Sequence, residues 1–173
     1  MRKLFTCYLV ILLSLTAFSG MASSNRLETV RNFDLTQYMG KWYEIALLPN
    51  HFQKNCQCTT AQYALKNNHT MSIRNRCLKI NQKRFTEALG KGWIPNKNEP
   101  SKLKIRFIWP FSGDYWILYL QNDYQYVLVG SPSRNYLWIL SRKKAMPAKI
   151  YQKLINIARA YGFDPNKIHK TKQ

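Results

Sequence analysis

The strongest fold signal in this chain lies at residues 33–46, which read FDLTQYMGKWYEIA. From Lys41 the side chains alternate between two faces, which predicts a half-buried strand over 41–47. Gly40 allows the backbone to bend tightly or to be approached closely just before that strand. Trp42 is then its first inward-facing residue, and its indole N–H needs an acceptor when buried.

Strand patterns continue downstream from this stretch, separated by turn residues. The predicted strands after the first cover 58–66, 70–77, 84–94, 103–107, 115–120, 126–129 and 136–141. Strands this short and this regularly spaced are typical of a meander sheet or barrel. On one of them Tyr115, Ile117 and Tyr119 share a face by simple alternation.

A helical period appears only near the carboxyl end. Pro147 precedes apolar residues at Ile150, Leu154, Ile157 and Tyr161, and Gly162 follows them. This spacing predicts an amphipathic helix packed on the outside of the sheet. A short edge strand is expected at 167–169.

The composition describes a basic, folded domain. The 173 residues contain 27 Lys and Arg against 8 Asp and Glu, and 46% of them are hydrophobic. An excess of +19 favours anionic partners such as nucleic acid, an acidic membrane surface or an anionic small molecule. The length suits one domain with a well-buried core.

The amino terminus predicts export. Residues 1–22 have a basic start, an apolar core and small residues at the expected cleavage site. This is the pattern of a secretory signal cleaved after Ala22. Cleavage leaves a net charge of +17, a polar, loose arm at 23–32 and a domain at 33–173. The expected location is periplasmic or secreted, as a soluble protein or one that associates with the outer membrane without a lipid anchor. Cys7 is too close to the start to be a lipid-attachment site.

Three cysteines remain in the mature chain, so one disulfide and one free thiol are expected. The 67–68 turn brings Cys77 opposite residues 56–58. Cys58–Cys77 is the preferred pair and Cys56–Cys77 the alternative. The spacing is poor for a zinc site, and neither a metal nor a cofactor is expected.

Three distant signals meet at one end of an up-and-down arrangement. Trp42 begins the first strand, Asp123-Tyr124 joins the sixth to the seventh, and Arg142 ends the eighth. Closure of the sheet brings Arg142 against Trp42, where a guanidinium over an indole ring is worth ~1–2 kcal/mol when desolvated. Such a contact closes the apolar base of a barrel.

These motifs resemble the lipocalin family from about Phe33 to the end. Gly40-x-Trp42, Asn122-Asp123-Tyr124 and Trp138-Ile139-Leu140-Ser141-Arg142 occur in that family's order, and the flanking residues are similar to its bacterial lipocalin and apolipoprotein D branch. The resemblance implies an eight-stranded antiparallel barrel with one carboxyl-terminal helix outside. Many bacterial members carry a lipid-bearing cysteine at the mature start, which this sequence lacks.

The resemblance also implies a hollow that binds a small hydrophobic ligand. Strand alternation and position in the family predict lining residues Glu44, Tyr63, Phe107, Tyr115, Ile117, Trp138 and Leu140. The predicted open mouth carries headgroup-binding residues Lys54, Lys79, Lys83, Arg84, Trp109 and Arg134. Aromatic walls below a cationic rim suit a fatty acid or lysophospholipid.

The sequence therefore predicts a non-enzymatic carrier or store for an amphiphile, with a role in membrane lipid maintenance or transport. Peripheral contact with an anionic membrane, no nucleic acid, and a monomer or homodimer are expected. The alternatives are a lipocalin-fold enzyme and a basic protein that binds anionic surfaces or nucleic acid. The chain shows no Ser/His/acid set and no paired catalytic carboxylates.

Overall fold

The computed structural model describes residues 27–67 and 69–173. The predicted signal at 1–22 lies outside the described residues, as does the start of the predicted arm. The described chain contains two α-helices and nine strands. The helices are α1 (Leu35–Tyr38) and α2 (Ala148–Ala160). The strands are β1 (Gly40–Leu47), β2 (Cys56–Asn67), β3 (Thr70–Lys79), β4 (Arg84–Trp93), β5 (Lys102–Ile108), β6 (Phe111–Leu120), β7 (Tyr126–Gly130), β8 (Leu137–Ser141) and β9 (His169–Lys170).

Strands β1 to β8 form a closed antiparallel barrel in which each strand pairs with the next along the chain. Closure comes from β1, which pairs with β2 through Gly40–Tyr43 and with β8 through Tyr43–Leu47. The predicted eight-stranded up-and-down barrel is therefore confirmed. Its open end carries the β1–β2, β3–β4, β5–β6 and β7–β8 loops, and α1 lies at the opposite, closed end.

Apolar residues divide into an inner core and an outer layer. The inner core contains Trp42, Met71, Leu103, Ile117 and Val127, all fully buried. The outer layer forms where α2 lies against the barrel, with Leu154 and Ala158 packed among residues of β6, β7, β8 and β1. The predicted external helix and carboxyl-terminal edge strand are confirmed, although the strand covers 169–170.

Bulges change which side chains face inward. A register shift in β6 between Ile117 and Tyr119 moves Tyr119 to the outer layer, where its hydroxyl accepts a bond from Lys153 Nζ at 2.9 Å. The prediction that Tyr119 shares a face with Tyr115 and Ile117 is therefore wrong. A similar shift in β1 leaves Glu44 inside and places Ala46 in the outer layer.

The described part of the predicted arm is packed against the barrel. Leu27 is buried in the outer layer, and the Val30 backbone N–H donates to the Ile117 carbonyl at 3.0 Å. The Ser101 hydroxyl donates to the Val30 carbonyl at 2.7 Å. Residues 27–30, which were expected to belong to a loose arm, are therefore held against the barrel by these contacts.

The preferred disulfide pairing is also wrong. Cys77 bonds to Cys56, the alternative partner, with Cα atoms 5.4 Å apart, and Cys58 is a free thiol. The reason is a bulge in β2 between Gln57 and Thr60, where Cys58 adopts a left-handed backbone with φ 49°. The Cys58 N–H donates to the Lys172 carbonyl at 2.7 Å, which holds Cys58 in that conformation.

Candidate ligand-binding site

The floor of the barrel is built around Trp42. The Arg142 guanidinium lies 3.9 Å from the centroid of the Trp42 ring and donates to the carbonyls of Gln37 at 2.9 Å and Lys41 at 3.0 Å. The indole N–H donates to the Tyr38 carbonyl at 2.9 Å. The predicted contact between Trp42 and Arg142 is thus present, and these carbonyl bonds tie the floor to α1 and to the start of β1.

The other two signature elements join the same floor. Asp123 accepts from the Gln125 N–H at 3.1 Å within the β6–β7 turn, and the Tyr124 carbonyl accepts from Arg142 Nε at 3.2 Å. Gly40 has φ 95°, and a Cβ there would lie 3.3 Å from Arg142 Nη1. Glycine is therefore favoured at 40 by its positive φ, and a side chain there would also press against the Arg142 guanidinium.

The lower interior is filled by aromatic and aliphatic side chains. The Tyr115 hydroxyl lies 2.7 Å from the Tyr38 hydroxyl and 2.9 Å from the Tyr63 hydroxyl, so the three form one hydrogen-bonded chain. Burial is the main cause that raises the pKa of each of these phenols. The predicted lining residues Tyr63, Tyr115, Ile117 and Leu140 all belong to this packed core.

The upper interior remains accessible. Phe107 faces inward from β5, against the inner side of Gly90, yet 37% of its surface is exposed. Ala88 on β4 is also exposed, although its partner in the register is the inward residue Asn75. Trp138 is half-buried and stacks on Tyr115 with ring centroids 6.3 Å apart. These inward-facing groups can therefore be reached from the mouth.

Glu44 provides a buried carboxyl group in the wall of this upper region. It is 3% exposed and accepts hydrogen bonds from Gln53 Nε2 and, at 2.6 Å, from the Thr171 hydroxyl. Trp138 Nε1 donates to Gln53 Oε1 at 2.7 Å, which fixes the orientation of that amide. Burial raises the pKa of Glu44 from 4.5 to about 7, against the smaller lowering effect of its two hydrogen bonds.

The carboxyl terminus closes the seam beside Glu44. Beyond Tyr43 the edge of β1 pairs with β9, and the Thr171 N–H donates to the Ile45 carbonyl at 2.9 Å. Gln173 Nε2 donates to the carbonyls of Glu44 at 2.5 Å and Thr59 at 2.9 Å, so its side chain bridges β1 and β2. The last residues of the chain therefore form part of the barrel wall.

The predicted mouth cations have different environments. Lys54, Lys83 and Arg84 are exposed, and Arg84 Nε donates to Gln82 at 3.0 Å. Lys79 Nζ donates to the Lys54 carbonyl at 2.8 Å, which links the β1–β2 loop to β3. Arg134 instead points to the end of α2, where its Nε donates to the Tyr161 carbonyl at 2.7 Å.

Apolar side chains surround the same mouth. Trp109 is 77% exposed, and its neighbours Ile108 and Phe111 are 69% and 75% exposed. Phe52 projects from the β1–β2 loop with 65% exposure. Asp114, near the start of β6, forms an ion pair with Lys104 at 2.8 Å.

Two features of the upper interior were not predicted from the sequence. Gln53 connects Glu44 to Trp138 from a loop, where no periodic pattern identifies an inward side chain. The small inward residues of β4 could have been found, because Thr86, Ala88, Gly90 and Gly92 occur at every second position of a predicted strand.

A closed barrel with a packed floor and an accessible upper interior is the architecture of a small-molecule binding protein. A family model described as "Lipocalin-like domain" matches residues 33–173, and the chain therefore belongs to the lipocalin family. Members of this family bind small hydrophobic ligands.

Relatives support the family and its branch. The chain is 40% identical over 161 residues to temperature-induced lipocalin-1 of Arabidopsis thaliana. The aligned residues cover 88% of this chain and 86% of the relative. It is 34% identical over 169 residues to the outer membrane lipoprotein Blc of Vibrio cholerae, covering 97% and 96%. Apolipoprotein D of Macaca fascicularis is 34% identical over 151 residues, covering 82% and 78%.

Solved structures support the fold. Lobster apocrustacyanin A1 superposes with a TM-score of 0.68 at 21% identity, covering 81% of this chain and 79% of that one. Insecticyanin of the tobacco hornworm Manduca sexta also gives a TM-score of 0.68, at 20% identity and with coverage of 85% and 84%. Within 27–67 and 69–173, neither helix has the length and apolar character needed to cross a bilayer.

Proposed function

We propose that this protein is an exported carrier for a single-chain anionic amphiphile, a fatty acid or lysophospholipid, in membrane lipid maintenance or transport. The observation that supports it best is the exposure of inward-facing residues in the upper barrel. Ala88 is exposed, and Phe107 has 37% of its surface exposed. An acyl chain bound in the upper barrel would bury apolar surface on both ligand and protein, which favours binding. Export rests on the predicted signal at 1–22 and on the similarity to an outer membrane lipoprotein.

The mouth supports an anionic headgroup. Lys54, Lys83 and Arg84 are exposed at the open end, so they can meet a carboxylate or phosphate without first losing a strong partner. Lys79 adds a fourth cation where the β1–β2 loop meets β3. The protein's overall positive field would also draw an anionic ligand towards the mouth.

The apolar residues of the mouth support transient contact with a membrane. Ile108, Trp109 and Phe111 are exposed together where β5 turns into β6, and the mouth cations lie at the same end. Aromatic and cationic side chains in this combination favour the interface of an anionic bilayer. Docking by this end would place the hollow against the lipid that it takes up or releases.

Binding of two lipids with equal chains tests the proposal. Palmitoyl lysophosphatidate is expected to bind about tenfold more tightly than monopalmitoylglycerol at about 50 mM salt, and the advantage should shrink at about 500 mM. Replacement of Lys54, Lys83 and Arg84 by Gln should remove most of the advantage. The same replacement of Arg31, Lys66 and Lys97, which are exposed away from the mouth, is the charge-matched control. Equal affinity for both lipids at both salt concentrations, or equal losses in both triple variants, would overturn the headgroup site.

A further inference from the structure

One side of the barrel's outer surface is apolar and exposed. The helix α2 covers the outer face of β6, β7, β8 and β1, whereas β3, β4 and β5 lie on the other side of the barrel. On that side Phe85 is 47% exposed and Leu89 is 66% exposed. Exposed apolar groups that lie together on a protein surface mark a site of interaction.

These side chains belong to a strip that begins at the mouth. Phe85 and Leu89 lie on the outward face of β4, where they alternate with inward-facing small residues. Leu89 is about 13 Å further from the mouth than Phe85, because a strand rises about 3.3 Å per residue. Ile80 in the β3–β4 loop is 47% exposed, and Ile108 at the end of β5 is 69% exposed. The apolar strip therefore runs from these two loops down one side of the barrel.

The edge of the strip towards β3 is positively charged. Arg74 pairs directly with Leu89, so their side chains are neighbours on the outer face. The Arg76 guanidinium lies 3.9 Å from the centroid of the Phe85 ring. Glu87 lies 3.9 Å from Arg74 Nε and 4.0 Å from Arg76 Nε, and its single charge cannot neutralise both guanidinium groups.

The edge towards β5 is also positively charged. Lys91 is exposed and pairs directly with Arg106 on β5. Glu87 is the one acid among the outward residues of β3, β4 and β5, all of which lie within the described range 69–173. The apolar strip is therefore bordered by positive charge on both sides.

This combination of charge and apolar surface restricts the partner. The headgroups of an anionic bilayer can pair with the cations at both edges, while the apolar strip reaches the acyl chains below them. A soluble polyanion such as a nucleic acid would also pair with the cations, but it would leave Leu89 and Phe85 in water. The strip also continues into the mouth at Ile108, so a single bilayer can contact both surfaces.

We propose that the outer face of β4 and its basic edges form a docking surface for an anionic lipid bilayer. The protein then lies tilted on the membrane, with the β3–β4 and β5–β6 loops and the side of β4 in contact with lipid. This inference rests on the proposed function, because it extends the membrane contact of the mouth down one side of the barrel.

Two exposed apolar residues on different sides of the protein test the proposal. Leu89 is 66% exposed on the strip, and Phe52 is 65% exposed on the β1–β2 loop, where its ring lies 6.2 Å from that of Tyr136 beside β8. Sedimentation with phosphatidylcholine vesicles that contain about 30% phosphatidylglycerol measures binding. Leu89→Thr is expected to weaken binding about fivefold, because it removes apolar contact and keeps strand propensity. Phe52→Thr is the control and should change binding by less than about twofold.

A second pair of variants tests the basic edges. Arg74→Gln combined with Lys91→Gln should weaken vesicle binding about tenfold at about 100 mM salt. Lys143→Gln combined with Lys144→Gln removes the same charge from exposed residues that follow β8 at the closed end, and it should have little effect. Equal losses in the two double variants would show that only net charge matters and would overturn the docking surface.

The remaining outcomes separate this surface from the carrier function. Unchanged vesicle binding by Leu89→Thr, or equal losses in Leu89→Thr and Phe52→Thr, would overturn the docking surface and leave the carrier function standing. Native mass spectrometry should show that Leu89→Thr still takes up palmitoyl lysophosphatidate as the wild type does, because residue 89 faces outward. Loss of lipid uptake in this variant would contradict a surface that acts only in docking. Failure of the wild type to take up the lipid would overturn the carrier function itself.

Discussion

Replacing Trp42 by alanine is expected to lower the free energy of unfolding by about 4 kcal/mol, because a fully buried indole is lost from a packed floor. The change also removes the hydrogen bond from the indole N–H to the Tyr38 carbonyl and the ring beneath Arg142. Equilibrium unfolding in urea measures the loss directly. Trp93→Ala is the control, since that indole is half-buried on the outer face near Arg106 and should cost less.

A double-mutant cycle isolates the contact between Trp42 and Arg142. Arg142→Ala alone loses the cation over the ring and the bonds to the carbonyls of Gln37, Lys41 and Tyr124. The carbonyl bonds are lost equally in both backgrounds, so the coupling energy reports the ring contact and is expected near 1 kcal/mol. Strict additivity of the two single changes would contradict a floor closed by this pair.

Glu44→Gln is expected to remove about 3 kcal/mol of pH dependence from the free energy of unfolding. Burial raises the pKa of Glu44 from 4.5 to about 7, so between these values the native protein keeps a proton that the unfolded chain releases. The native state then binds more protons, and the free energy of unfolding falls as pH rises through this window. Below about pH 4.5 the buried Glu44 costs no stability through ionisation, and above about pH 7 the full loss of unfolding free energy is present.

Glutamine reproduces the neutral acid at this position. Its oxygen can accept from Gln53 Nε2 and its amide can donate to the Thr171 hydroxyl, which occupy the two sides of the Glu44 carboxyl group. Glu44→Gln should therefore match the wild type near pH 4 and exceed its stability near pH 8. Urea unfolding across this range measures the difference, with Glu87→Gln on the exposed outer face as control. A constant difference at every pH would contradict the assignment to Glu44.

The barrel could be predicted because its signals are local and repeat along the chain. Alternation identifies each strand, and up-and-down order then brings Trp42, Asp123 and Arg142 to one end without further information. The external helix is similarly marked by the spacing of Ile150, Leu154 and Ile157. The prediction of these features depends on the spacing of apolar side chains and on the order of the strands. Both stay correct when a strand boundary is slightly misplaced.

The errors occur where one residue shifts the register. Because of a bulge at Cys58, Cys77 forms its disulfide with Cys56 instead of Cys58. A bulge after Ile117 moves Tyr119 outward. Alternation cannot detect such a shift, since the residue types on either side remain acceptable on both faces. Contacts far apart in sequence were missed for a related reason: Thr171 meets Glu44 only because the barrel seam opens beyond Tyr43.

Occupation of the upper barrel by a lipid chain is tested most directly by filling that space. Ala88→Trp places a large ring on the inward face of β4, whereas Leu89→Trp, one residue along, faces outward at a position that is 66% exposed. Native mass spectrometry with palmitoyl lysophosphatidate is expected to show one lipid per chain for the wild type and for Leu89→Trp, and none for Ala88→Trp. Equal lipid loading of Ala88→Trp and the wild type would contradict a ligand held inside the barrel.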